Sequence, residues 1–250
     1  MSVEPALLGF AAVIFLSYAV QTVTGFGSML LAVTFGAHLL GIREIVTLAV
    51  PISMVQTGYI VWRHRDGIAW RLLLRRILPL MGLGMALGFS AFAGTESVWL
   101  RYGFAVMVLV LAARELWLRV RASADPKRVA RPMPAAASVA AMFGAGIIHG
   151  IYATGGPMLV YALGRESLSK HAFRSTLSAV WLVLNAGLLI GFSIEGRYAP
   201  AVGLDLLVLL PAVPLGVALG EWVHHRVDQR RFELAIFSLL IAAAISLLIR

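Results

Sequence analysis

The sequence predicts an all-α polytopic membrane protein made of two inverted repeats, each a broken or re-entrant helical segment plus three transmembrane helices. Three observations carry this expectation. The 250 residues are 60% hydrophobic and 13% charged, with a mean hydropathy of +0.88, whereas a soluble domain is about 25% charged. Residues 5–42 contain no Lys, Arg, Asp or Glu, which is longer than the roughly 20 residues one span needs. Finally, the same punctuation interrupts the apolar runs in both halves of the chain.

That punctuation is glycine-rich. Thr24-Gly25-Phe26-Gly27-Ser28 interrupts the first apolar run, and Thr154-Gly155-Gly156-Pro157 interrupts a later one. Glycine disfavours helix, and proline removes a donor and clashes with the preceding turn. At membrane depth, bare N–H and C=O groups persist only inside protein or against a water-filled cavity. Aligning Gly27 with Gly156 pairs Met29-Leu30 with Met158-Leu159, Gln56 with Asn185, and Gly58 with Gly187. Further on, the stretch Pro79–Gly88 resembles Pro211–Gly220, a pattern suited to close helix packing.

Taken in order, the pattern gives a helix near 5–23, a break at 24–28 and a second piece to about 40. Spans follow near 45–62, 77–94 and 98–118. Repeat 1 thus covers about 5–119, and the linker 120–133 is rich in Arg and Pro. Repeat 2, about 134–250, opens on the broken segment 135–163 and continues with spans near 173–193, 200–221 and 232–249. Met1–Pro5 lacks the basic region of a cleaved signal peptide, so the first apolar segment is expected to be retained.

Charge sets the expected orientation. If each broken segment returns to its own side, the loops 63–76, 114–131, 165–174 and 226–231 share one side. Those loops hold 17 of the 21 Lys and Arg. Basic loops stay cytoplasmic, which puts the N-terminus outside and the protein in the cell (inner) membrane as a multi-pass chain. Three full crossings per repeat, an odd number, then invert the second half relative to the first. The net charge of +9 is accounted for by topology, and nucleic acid is not an expected partner.

The spans are poor in acids. Glu44, Asp205 and Glu221 fall near predicted ends, so no carboxylate proton relay is evident. His149 precedes the second break, as a satisfied core histidine or as a pH-sensitive ligand. Gln56 and Asn185 are amides in apolar spans, either interhelical bonds or the walls of a shared polar cavity. Thr24, Ser28 and Thr154 add hydroxyls at the breaks. Arg174, near the start of a span, is either topogenic charge or an anion contact. The candidate substrate-binding set is therefore Thr24, Gly25, Gly27, Ser28, Gln56, His149, Thr154, Gly155, Gly156, Pro157, Arg174 and Asn185. Such donors, with helix N-termini carrying partial positive charge, suit a small anion. No HExxH or other dense ligand spacing and no P-loop occurs, so neither metal nor cofactor is expected.

These residues resemble the sulfite exporter TauE/SafE family of membrane permeases, along nearly the whole chain. The likeness is strongest from Gly144 to Asn185, through Thr154–Leu159 and Lys170–Leu177. Its first-half counterpart, Thr24–Ser28, departs from a plainer glycine run at Phe26-Gly27-Ser28. The resemblance implies transport of sulfite, a sulfonate or a related organic acid. The expectation is a secondary transporter, not an enzyme, working by alternating access around the paired breaks; a homo-oligomer is compatible with it. A passive anion channel is the alternative. An intramembrane serine protease using Ser28 and His149 lacks the Gly-x-Ser-Gly order and a supporting acid.

Overall fold

Nearly every apolar run becomes a helix. The computed structural model describes residues 5–24, 27–92, 98–122, 134–163, 168–224, 226 and 228–249. The first half contains α1 (Pro5–Thr24), α2 (Ser28–Gly36), α3 (Ile42–Arg63), a 3₁₀ turn (Arg65–Gly67), α4 (Trp70–Leu72), a π-helical turn (Leu73–Ile77), α5 (Leu78–Phe92) and α6 (Val98–Ala122). The second half contains α7 (Ala135–Tyr152), α8 (Gly156–Leu163), α9 (Lys170–Ile194), α10 (Pro200–Leu209), α11 (Ala212–His224) and α12 (Gln229–Ile249). No strand occurs among the described residues. Among the described residues, six segments are long and apolar enough to cross a membrane, and the protein is a multi-pass membrane protein.

Two expectations change. Arg71, Arg75 and Arg76, placed in a loop by their charge, are helical: α4, the π turn and α5 follow one another without a gap. The span expected at 200–221 is matched by one apolar segment, Pro200–Val223, long enough to cross a membrane, but its helix is interrupted at 210–211. Pro214 has no N–H to give the Leu210 carbonyl, which accepts from the Val213 N–H instead at 3.2 Å. Most of the linker, 123–133, lies outside the described residues.

The chain divides into two units, each drawing helices from both halves. Unit 1 comprises Met1–Ile45, Glu96–Ala130 and Val208–Arg250; unit 2 comprises Val46–Thr95 and Arg131–Leu207. Within unit 1, α11 lies along α1, and α6 packs on α12. A Cβ on Gly216 would run into the Phe15 carbonyl oxygen, and one on Gly220 would sit 2.5 Å from that of Ala19. In unit 2, α5 lies along α7 in the same manner. A Cβ on Gly84 or Gly88 would strike the carbonyl oxygens of Phe143 or Ile147, and one on Gly146 or Gly150 those of Met81 or Met85. Small residues four apart on both helices let the backbones touch, as membrane helices require when lipid offers no hydrophobic gain.

Gly84→Ala and Gly216→Ala are each expected to destabilise the protein by about 1–3 kcal/mol, since neither neighbouring carbonyl can retreat without moving a helix. Gly82→Ala, whose added methyl meets nothing within 4 Å, serves as the control. Thermal melts in detergent check this; equal melting temperatures for all three would refute the packing account.

Unit 2 surrounds an apolar core that includes Ile77, Met81, Met142, Leu159, Val180 and Leu184. Helices α3 and α9 run antiparallel along it: Ser53 meets Asn185, and Gly58 faces Leu182 five residues further along α3 and three back along α9. Ser169 caps α9 by accepting the Ala172 N–H at 3.1 Å. The Ala69 N–H donates to Thr176 Oγ1 at 2.9 Å, tying the turn before α4 to α9.

Candidate functional site

The break in unit 2 is built by three residue types, each for its own reason. Helix α7 ends at Tyr152. Ala153 then turns left-handed at φ 53, its N–H donating to the His149 carbonyl at 2.8 Å. This is an αL cap made by a residue with a Cβ, at a strain of about 1–2 kcal/mol. Gly155 follows because nothing larger fits: its Cβ would meet the Ala145 carbonyl oxygen and lie 3.2 Å from His149 Cβ. Pro157 sits in the first turn of α8, where a missing N–H costs nothing. The first N–H groups of α8 consequently lack intrahelical acceptors.

Buried polar groups gather beside this break. His149 is 1% exposed, and its ring stacks on Trp181 at 5.4 Å between centroids, 25° from parallel. Neither His149 nitrogen has a hydrogen-bond partner. Asn185, also 1% exposed, donates from Nδ2 to Ser53 Oγ at 2.7 Å, and its Oδ1 is unpartnered. Asn185 and His149 lie close enough to interact electrostatically, yet no hydrogen bond joins them. The Ser53 hydroxyl in turn donates a hydrogen bond to the Val50 carbonyl at 2.8 Å. One turn along α3, Gln56 Oε1 is a further buried acceptor without a donor. Thr154 is buried at the break itself.

Orphaned polar atoms in an apolar interior cost about 1–3 kcal/mol each. Four of them, the two His149 nitrogens, Asn185 Oδ1 and Gln56 Oε1, belong to unit 2, and no acid is among these side chains. Among the described residues, no cluster of three or more His, Asp or Glu could hold a metal ion.

The break in unit 1 solves the same problem differently. Gly27 caps α2 with φ 97, and a Cβ there would touch nothing within 4 Å. Glycine is required by the backbone angle, not by space. Ser28 is buried, and near it the Tyr18 hydroxyl is buried without a hydrogen-bond partner. Gly25 and the side chain of Thr24 lie outside the described residues.

Sequence reasoning had thus singled out His149, Thr154, Gly155, Gly156, Pro157, Gln56 and Asn185, all carried by unit 2. Arg174 is not brought to them: it is exposed on α9, eleven residues before Asn185 and so about 16 Å away along the axis. Ser53, Trp181 and Tyr18 were overlooked. Ser53 and Trp181 lie one helical turn before Gln56 and Asn185, and that spacing could have found both.

A family model for "Sulfite exporter TauE/SafE" matches residues 10–247. The chain belongs to the sulfite exporter TauE/SafE family. Among curated TauE/SafE relatives, the "Probable inner membrane transporter protein TsaS" of Comamonas testosteroni is 26% identical over 204 residues, covering 81% of this chain and 80% of that protein. The "Probable sulfite/organosulfonate exporter TauE" of Cupriavidus necator is 25% identical over 254 residues, covering 97% and 94%. No solved structure matches the chain.

Proposed function

We propose that this protein is a secondary transporter of a small oxyanion, with sulfite or an organosulfonate as substrate. The observation that supports the proposal is the buried set of His149, Asn185 and Thr154 beside the break at 153–155, where α8 begins with free N–H groups and the imidazole and amide N–H groups can donate. A sulfonate presents three oxygens, all acceptors. The α8 N–H groups, the Thr154 hydroxyl and the amide N–H groups supply donors, and the absence of acid avoids repulsion. Both relatives carry transporter names, which supports the same reading. Access alternates between the two membrane faces with the unwound segments as gating elements; this step rests on the matched breaks in the sequence. A membrane potential negative inside drives an anion outward by about 2.3 kcal/mol per charge per 100 mV, which favours export.

Proteoliposomes loaded with labelled sulfite or a small sulfonate provide the test. Saturable efflux with counterflow is expected. Flux that never saturates would replace the transporter by a channel, and no flux of any small oxyanion would end the proposal.

The basic loops are proposed to be cytoplasmic, with each broken segment returning to its own side. The chain has no cysteine, so Asp125→Cys and Ser169→Cys each create a unique label site in the native background. Both are expected to react only from the cytoplasmic face. Labelling from opposite faces would eliminate the in-and-back arrangement, and with it the inversion of the repeats.

A further inference from the structure

A second site lies in unit 2, at the start of the helix that follows the 3₁₀ turn. Arg71, Arg75 and Arg76 occupy α4 and the π-helical turn. In a π turn the backbone bonds from i to i+5, and such turns are frequent at functional sites. Here the wider turn sets Arg71 one turn from both Arg75 and Arg76, where an α-helix would align it with Arg75 alone. The three arginines, with Ala69, Trp70 and Leu72, line a wide-open surface hollow of about 540 Å³. Arg76 is half-buried and donates from Nη2 to Ser138 Oγ on α7 at 3.0 Å. Arg71 and Arg75 are exposed. Among the described residues, no acid lines the hollow.

The surroundings say what kind of anion fits. Trp70, in the lining, is 49% exposed, and Leu74, on the π turn that carries Arg75 and Arg76, is 57% exposed. Counting four, seven and eleven residues on from Arg76 along α5 gives Leu80, Leu83 and Leu87, one helical stripe. Leu83 and Leu87 are 67% and 52% exposed. A cationic hollow opening onto an apolar stripe matches an amphiphile, not a free ion in water. A free phosphate would gain nothing from the leucines. Interfacial tryptophan and basic pockets at helix ends are the usual surroundings of lipid headgroups.

We propose that this hollow binds the phosphate headgroup of an anionic phospholipid, its acyl chains lying along Leu83 and Leu87. The site is separate from the polar group beside Thr154–Pro157 and stands whether or not that group transports anions. With roughly a fivefold gain for each exposed arginine, Arg71 and Arg75 together are expected to give phosphatidylglycerol about a 25-fold preference over phosphatidylcholine.

Native mass spectrometry of the full-length protein, equilibrated with mixed phosphatidylglycerol and phosphatidylcholine micelles, reads this directly. The wild type is expected to retain phosphatidylglycerol, and R71A/R75A to lose the preference. R63A/R65A, which removes the same charge from outside the hollow, is expected to keep it. Equal retention by wild type and R71A/R75A overturns the site. Equal loss in R63A/R65A overturns it in favour of diffuse charge, and full displacement by millimolar inorganic phosphate in favour of a free-anion site. Should R71A/R75A fail to fold, the single exposed change R75E replaces it. In thermal melts, phosphatidylglycerol is expected to raise the melting temperature of wild type and R63A/R65A but not of R75E; a rise in R75E as well overturns the proposal.

Discussion

Gly155→Ala is expected to abolish anion flux while leaving an inserted, folded protein. The added methyl runs into the Ala145 carbonyl oxygen and crowds His149 Cβ at 3.2 Å. That carbonyl cannot yield. Ala145 belongs to α7, and its neighbour Gly146 is pressed against the α5 backbone at Met81. The break must open instead, carrying the start of α8 away from His149 and Asn185. A displacement near 1 Å at a binding constellation costs on the order of 100-fold, and flux in proteoliposomes is expected to fall at least that far. Gly27→Ala provides the contrast. Its methyl finds empty space, and only the left-handed backbone resists it, at about 1–2 kcal/mol. Its loss is expected to be nearer tenfold. Should Gly155→Ala retain half of wild-type flux, the unwound segment of unit 2 has no part in transport.

That contrast also shows where the sequence was legible. Helix limits followed from glycine, proline and charge, because few other residues interrupt an apolar run: α2 starts at Ser28 after Gly27, as expected, whereas the second break falls at 153–155 and Gly156 and Pro157 already open α8. The π turn was hidden, since Arg71, Arg75 and Arg76 carry the same signal whether they are loop or interfacial helix. The interruption at 210–211 was hidden because Pro211 and Pro214 are tolerated within membrane spans as readily as they end them. Partnership between helices was the hardest to read. In an apolar chain, lipid-facing and protein-facing residues look alike, and no polar stripe marks the buried side. The glycines of 79–88 and 211–220 announced close packing. Only the structure shows that α5 lies on α7 and α11 on α1, so that each Pro/Gly helix packs on the broken segment of the other half. The candidate site was partly legible for the opposite reason: His149, Gln56 and Asn185 are polar intruders in apolar spans, whereas Ser53 and Trp181 resemble ordinary membrane residues.

Asn185→Leu should cut transport far more than it cuts stability. The amide's bond to Ser53 Oγ at 2.7 Å is an ordinary interhelical bond, and such bonds contribute about 0.6 kcal/mol in membranes. Its removal is therefore expected to lower the melting temperature only slightly. A hydrogen bond from the amide to a charged substrate contributes about 1.5–3 kcal/mol, or roughly 10- to 150-fold in Vmax/KM. Asn185→Asp separates donor loss from shape. It preserves the outline of the side chain but places a carboxylate where an anion is to enter, beside His149 and far from exposed Arg174. It is expected to transport less than the leucine variant, and its deficit is expected to shrink as the assay pH is lowered and the carboxylate protonates. If both variants melted early and transported normally per folded molecule, Asn185 would be an interhelical fastener alone. A variant with normal stability and little flux is the outcome that ties the buried amide to the passenger.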